Sequence, residues 1–279
     1  MTGSVLGLSA GVLAAVLFGV AAVLQAHGVR SESGPIDSLR EFVTAAVRNR
    51  AILLVVGAYL AGFVLHAVSI WFLPLYLAQA AVALSLPVTA LCAARLRERL
   101  GPAGWAAVGA IVLGLVLVSL GSGEPGPGRS SPVFAATLWV GVLVLGALGF
   151  GGRLTSAGAL GTVAGLGYAG SAIAVRGVAL PLDVPVVAAG LAVPAYGLLA
   201  FWLYSLGLNR SAVASSSAPL VVGQTLVPAL VGIGALGDSV RDGWVAGVAL
   251  GMALAVTGAV LLSRKTADPE TASDPALAG

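Results

Sequence analysis

Polar side chains that could bind a solute occur at a few positions inside long apolar stretches of this chain. They carry an imidazole, amides, hydroxyls and a phenol, and they are His66, Gln79, Ser85, Thr89, Tyr168, Ser171, Ser216, Gln224 and Thr225. Imidazole titrates near neutral pH, and hydroxyl and amide groups both donate and accept hydrogen bonds. The set predicts a binding site for a small solute or ion, with His66 as a candidate for coupling to protons.

Each of these groups also has a structural interpretation. His66 could be a neutral imidazole that is hydrogen-bonded to a neighbouring helix, and Gln79 and Gln224 could join helices instead of binding substrate. The serines at 215–217 indicate either a hydroxyl-lined wall or close packing of small residues. The sequence leaves these alternatives open.

The apolar stretches that hold these groups dominate the composition. Hydrophobic residues make up 58% of the 279 residues, charged residues make up 9%, and the mean hydropathy is +1.03. A soluble domain has about 25% charged residues, so the chain is predicted to be a polytopic membrane protein. Its basic residues lie at the ends of apolar runs and form no patch, which argues against nucleic acid as a partner. The predicted partners are the lipid bilayer and a small substrate, and a homodimer is left open.

Nine stretches are long enough to span a bilayer, which takes about 20 apolar residues. They are 5–27, 51–72, 75–94, 103–121, 133–151, 157–177, 184–207, 212–236 and 243–263. Two of the divisions between them fall at Pro74 and at Gly151–Arg153. Residues 31–50 are predicted to form an amphipathic helix on the cytoplasmic surface, with a solvated loop as the alternative. The polar tail 266–279 is predicted to be disordered.

Basic residues set the predicted orientation. One set of alternate loops holds eleven arginines and lysines and the other set holds three. Because basic residues are enriched in cytoplasmic loops, the amino terminus is predicted outside and the carboxyl terminus in the cytoplasm. Arginine outnumbers lysine thirteen to one, which suggests a GC-rich bacterial genome and therefore a bacterial plasma (inner) membrane.

Proline occurs at mid-span twice, as Pro87 in the third span and Pro228 in the eighth. Aligning the two prolines brings level the charged segments that end both spans. Residues 1–132 and 152–265 are therefore predicted to be two four-span repeats, and 133–151 a linking span that inserts the second repeat upside down. Inverted repeats are typical of secondary transporters, and helix breaks at matching positions point to their binding site. The alternative is that both prolines are simple kinks.

Three stretches resemble the drug/metabolite transporter superfamily, and most of all its NIPA-type magnesium transporter branch. They are GLSAGVLAAVLFGVAAVLQAHGVR, LPLYLAQAAVALSLPVTALCAARLRERLGPAGWAAVGAIVLGLVLVSLG and LGLNRSAVASSSAPLVVGQTLVPALVGIGALGDSVRDGW. The resemblance implies nine spans, an external amino terminus and magnesium as a cargo. Mg²⁺ usually binds through one or two carboxylates, but all eleven carboxylates lie outside the spans or at their ends. A magnesium ion would therefore have to pass largely hydrated.

Together these patterns predict an all-α, polytopic membrane helical bundle of about nine transmembrane helices, with two inverted four-helix repeats joined by a linking helix. We expect it to move a small solute or ion by alternating access, with a site between spans one to three and six to eight. A magnesium or other divalent-cation transporter and a non-transporting structural membrane protein are the alternatives. The sequence has no histidine–acid, cysteine–histidine or metal-ligand constellation, so we expect neither enzyme activity nor a cofactor.

Overall fold

The computed structural model describes residues 2–31, 50–95, 101–128, 131–151, 154, 156–210 and 213–265. The segment between residues 31 and 50, predicted to be an amphipathic helix, lies outside these ranges, as does the tail 266–279. Side chains at several helix ends, including that of Ser216, also lie outside the described part.

Ten α-helices and one π-helix follow one another in the described ranges. The α-helices are α1 (Thr2–Ser31), α2 (Arg50–Phe72), α3 (Leu75–Ala83), α4 (Ser85–Arg95), α5 (Pro102–Leu120), α6 (Pro132–Phe150), α7 (Ala157–Val175), α8 (Val184–Arg210), α9 (Val213–Val231) and α10 (Val245–Lys265). The π-helix Gly232–Leu236 continues α9. The predicted divisions at Pro74 and near Gly151 both separate helices, because α3 begins after Pro74 and α6 ends at Phe150.

Nine segments of this bundle are long and apolar enough to cross a membrane, counted over the described residues. They agree with the nine predicted spans, and α3 and α4 together make the third of them. Many large apolar side chains on their surfaces are exposed, as lipid-facing positions require, since lipid does not penalise apolar surface. The chain is therefore an all-α, multi-pass integral membrane protein.

The third span is interrupted at Leu84, three residues before Pro87. Proline has no backbone N–H and its ring crowds the preceding turn, so it is tolerated in the first turn of a helix. Pro87 has that position in α4, which begins at Ser85. Leu84 keeps right-handed helical angles, with φ −61° and ψ −16°, so the two helices continue in one span with a local break between them.

The eighth span takes a different form around Pro228. Helix α9 runs through both Pro219 and Pro228 as an α-helix, and the change of backbone comes later, at the π-helix that starts at Gly232. Gly237 ends this segment with φ +79°, a left-handed conformation that favours glycine. The predicted break at Pro228 is therefore a change of helix type four residues beyond the proline.

The first four spans and the last four pack in a related order. Helix α1 packs on α2 and on α3–α4, and in the second half α7 packs on α8 and α9 in the same manner. Helix α5 packs against α10, and α3 packs against α9. Corresponding helices run in opposite directions: α1, for example, begins beside Phe72, at the end of the bundle where α7 finishes.

Helices α5 and α10 approach each other through glycine. A Cβ atom added at Gly114 would lie 2.6 Å from the carbonyl oxygen of Gly251 and 2.8 Å from the backbone nitrogen of Ala255. Backbone atoms cannot move aside as a flexible side chain can, so any larger residue at Gly114 must separate the two helices. Small residues of this kind are the usual basis of helix packing in lipid.

We expect Gly114→Val to lower the stability of the purified protein by about 1–3 kcal/mol, the range for an overpacked contact. Gly109→Val on the same helix is the matched control, because no atom lies within 4 Å of a Cβ built there. Thermal unfolding in detergent measures both variants against the unchanged protein. Equal melting temperatures for the two variants would contradict the close α5–α10 contact.

Candidate functional site

Four connections meet at one end of the bundle, around the carboxylate of Asp238. They are the α2–α3, α5–α6 and α7–α8 connections and the segment after the π-helix, and residues of all four are hydrogen-bonded to Asp238 or to each other. We call this assembly the seal and define it as Leu75, residues 121–128, Arg176 and residues 237–241. The assembly therefore joins both halves of the chain at this end of the bundle.

The centre of the seal is a buried ion pair between Arg176 and Asp238. The guanidinium Nη2 of Arg176 contacts Oδ1 of Asp238, and the two side chains are 3% and 0% exposed. The backbone N–H of Leu75 donates to Oδ2 of Asp238 at 2.6 Å, and that of Gly126 donates to Oδ1 at 2.7 Å. These bonds satisfy the buried carboxylate, whose charge would otherwise be costly away from water.

Residues 121–128 lie alongside residues 237–241, the segment that comes after the π-helix. Ser122 and Val240 form an antiparallel β-bridge, and Ser239 and Glu124 are joined by backbone and side-chain hydrogen bonds. Gly126 is also bound from the second half, because Nη1 of Arg176 donates to its carbonyl oxygen at 2.9 Å. A Cβ atom at Gly126 would lie 1.9 Å from the carbonyl oxygen of Leu236, so only glycine fits there.

Tyr76 attaches the start of the third span to the same assembly. Its hydroxyl donates to the carbonyl oxygen of Ser239 at 2.7 Å and accepts from the N–H of Gly123 at 3.2 Å. Trp71, Phe72 and Tyr76 flank the division at Pro74, and aromatic residues generally favour the membrane interface. Trp71 and Phe72 are partly exposed there, at 47% and 38%, but Tyr76 is fully buried and has a packing role.

A second polar cluster lies deeper in the bundle, between α2 and α3. The ring nitrogen Nε2 of His66 is 3.4 Å from the side-chain nitrogen Nε2 of Gln79. His66 is only 9% exposed and Gln79 6%. Nδ1 of His66 and the hydroxyl of Ser69 are buried without a hydrogen-bond partner in the described part of the chain. The structure thus joins two predicted residues and adds Ser69, which the sequence did not single out.

Aromatic side chains from α1, α2, α7 and α8 form a third group. Tyr168, a predicted residue, lies near Tyr59 and Tyr204. The ring of Phe18 lies 6.1 Å from that of Tyr59, measured between centroids. Each of the three tyrosines retains some exposed surface, and together they bring packed helices of both halves next to one another.

Two predicted hydroxyl groups bind the backbone. Ser171 is 3% exposed and donates to the carbonyl oxygen of Val193 at 3.0 Å, which links α7 to α8. Thr89 donates to the carbonyl oxygen of Ser85 at 2.8 Å and lies 3.3 Å from that of Gly19 in α1. Such bonds support helix packing, and they favour the structural interpretation of both hydroxyls.

The remaining predicted residues lie on α4 and α9. Ser85 and Gln224 are half-buried, and Thr225 is 3% exposed. Ser216 belongs to α9, but its side chain lies outside the described part. The ends of the third span differ in accessibility: residues 73–81 beside the seal are all buried, whereas residues 82–86 beyond them are half-buried.

Comparison with known proteins gives no further guide, because no family model, no curated protein and no solved structure matches this chain. Among the residues that the structure describes, no three histidine, cysteine or acidic side chains lie together as a metal site would need. The residues that the sequence missed are Ser69, Tyr59, Tyr204 and the Arg176–Asp238 pair. For the pair, the available signal was one arginine and one aspartate, each directly following an apolar run.

Proposed function

We propose that this protein is a secondary transporter that moves a small solute or ion by alternating access between two inverted four-helix repeats. The observation that supports the proposal most is the difference between the seal and the part of the helix bundle beyond it. One end is closed by the buried Arg176–Asp238 pair, and partly accessible tyrosine, serine and glutamine side chains lie beyond it. Alternating access requires a closure of this kind that can open.

The arrangement of the helices supports the inverted repeats. Helix pairs α1–α2 and α7–α8 correspond, and so do α5 and α10, which pack against each other. Because corresponding helices run in opposite directions, an exchange of conformations between the halves would open the end at the seal and close the opposite end. The break at Leu84 and the π-helix at Gly232 give the third and eighth spans local points at which they can bend.

The partly exposed polar groups beyond the seal suggest the chemistry of the cargo. Tyr59, Tyr168 and Tyr204 present phenol rings and hydroxyls, and Gln224 presents an amide. A neutral or singly charged organic solute with an apolar part fits these groups, because aromatic faces bind apolar groups and cations.

A divalent cation is the second candidate cargo, which the resemblance of the sequence implies. Mg²⁺ prefers oxygen ligands and dehydrates reluctantly. Among the described residues beyond the seal, the side-chain oxygens of Ser85, Tyr59, Tyr168, Tyr204 and Gln224 belong to hydroxyl, phenol and amide groups. A magnesium ion would therefore cross with most of its water shell.

Uptake into proteoliposomes tests the proposal. The purified protein is reconstituted and tested with a panel of radiolabelled organic solutes and with Mg²⁺, against empty liposomes. We expect saturable uptake of at least one panel member. Uptake indistinguishable from empty liposomes for all members would favour the structural membrane protein instead.

We expect Tyr168→Ala to reduce uptake of the transported panel member by about tenfold, because loss of an aromatic contact of about 1.4 kcal/mol corresponds to that factor. Tyr196→Phe is the comparison: Tyr196 also lies in the second half, but it is buried and its hydroxyl donates to the carbonyl oxygen of Leu138 at 2.7 Å, so we expect its uptake to be unchanged. Unchanged uptake by Tyr168→Ala would remove the tyrosine group from the site.

A further inference from the structure

We propose that His66 is a protonation site that controls the seal, and that α3 transmits the effect. This inference rests on the proposed transport function and names its coupling ion as a proton. It is carried by the His66–Gln79 contact at 3.4 Å, by the buried, unpartnered Nδ1 of His66, and by the bond from Leu75 at the start of α3 to Asp238.

The contact with Gln79 limits the hydrogen-bonding states of the resting ring. With the amide of Gln79 oriented as in the structure, its side-chain nitrogen donates and Nε2 of His66 accepts. A neutral imidazole bears one hydrogen, which is then on Nδ1. That N–H is buried without a partner in the described residues, so the neutral ring is left with an unsatisfied donor.

A proton would bind to the lone pair of Nε2. The ring then becomes a cation with N–H groups on both nitrogens, and the new N–H faces the N–H of Gln79. Two donors repel, so Gln79 must turn its carbonyl oxygen toward the ring or move away from it. The hydroxyl of Ser69, one helical turn along the same face of α2, is also buried without a partner.

The surroundings of His66 leave the imidazole as the group that responds to pH. Helices α1, α3 and α7 pack against α2. Within the described side chains, α1 has no titratable group, α3 has Tyr76 and α7 has Tyr168, and α2 itself has Tyr59. These tyrosines are neutral at physiological pH. No described carboxylate faces the ring from these helices, so the cation would have no counter-ion there and a movement that relieves it is favourable.

Helix α3 connects this site to the seal. It is only nine residues long, and Gln79 is one turn from Leu75, whose N–H donates to Asp238 at 2.6 Å. The break at Leu84 separates α3 from α4, so α3 can shift without moving the whole span. A displacement of Gln79 therefore moves Leu75 and weakens the hydrogen bond from its N–H to Asp238.

Spin-label distances across the seal test the inference. The full-length protein in proteoliposomes has Cys92→Ser as its background. The labels are at Leu182→Cys and Asp242→Cys, two exposed positions in the connections that hold Arg176 and Asp238. We expect a second distance population, longer by about 5 Å, when pH falls from about 7.5 to about 4. His66→Gln, which retains a hydrogen-bonding amide, is expected to abolish it.

Two further variants complete the test. His27→Gln changes the other histidine of the chain and is expected to keep the longer population. Gln79→Met preserves the side-chain volume without a hydrogen bond and is expected to abolish the response to pH. A response that survives His66→Gln, or one that is absent from the unsubstituted protein, overturns the inference. Uptake of a panel solute in the same liposomes would leave the transport function standing in either event, whereas absence of uptake would count against the transport function itself.

Discussion

Replacing Asp238 with alanine is expected to lower the free energy of unfolding by about 3–5 kcal/mol, the cost of breaking a buried ion pair by removing one partner. Arg176 would remain buried with its charge uncompensated, and the N–H groups of Leu75 and Gly126 would lose their acceptor. Thermal unfolding of the purified protein in detergent measures the effect.

Two comparisons separate the ion pair from a general effect of substitution. Asp242→Ala changes an exposed acid four residues further along and should alter stability by less than about 0.5 kcal/mol. The double variant Arg176→Ala with Asp238→Ala should be less destabilised than the sum of the single variants, because the two groups interact directly. Additive effects would contradict the pairing.

A disulfide across the β-bridge is expected to abolish uptake of the transported solute, with a decrease of at least about tenfold. Ser122 and Val240 face each other in an antiparallel pair, where Cα atoms lie about 4.5–5.5 Å apart, within the range that a disulfide needs. Ser122→Cys with Val240→Cys, made in the Cys92→Ser background, would therefore fix the seal closed.

Reduction provides the control within one sample. Dithiothreitol should restore uptake, and each single-cysteine variant should transport with or without it. Uptake that continues with the disulfide formed would show that the seal does not open during transport, and alternating access through this end would be wrong.

The number and limits of the spans were predictable because apolar length alone determines them. The predicted stretches agree with the nine apolar helices to within a few residues at most ends, and Pro74 marks the division of the second and third spans as expected. The two mid-span prolines predicted the positions of the backbone changes less well. Pro87 marks a break at Leu84, but the backbone change near Pro228 depends on the following glycines and on the turn at Gly237.

The site was harder to predict than the spans, because polar type does not define partners. His66 and Gln79 were singled out separately, and only the packing of α2 against α3 brings them together. Ser171 and Thr89 have the same chemistry as substrate-binding hydroxyls, yet both donate to backbone carbonyl oxygens. Arg176 and Asp238 are 62 residues apart in the chain, and no local pattern connects them.

The π-helix beside Asp238 has a further consequence. A π-turn accommodates one residue more than an α-turn, so this segment holds a spare residue in its backbone. If Gly232–Leu236 became regular α-helix, the chain after it would rotate about the helix axis by about 100° and shift along it by about 1.5 Å. Asp238 would then point away from Arg176 while nearly all backbone hydrogen bonds of the helix were retained. The Arg176–Asp238 pair of the seal could thus separate through a change in one helical turn, while the rest of the span stays helical.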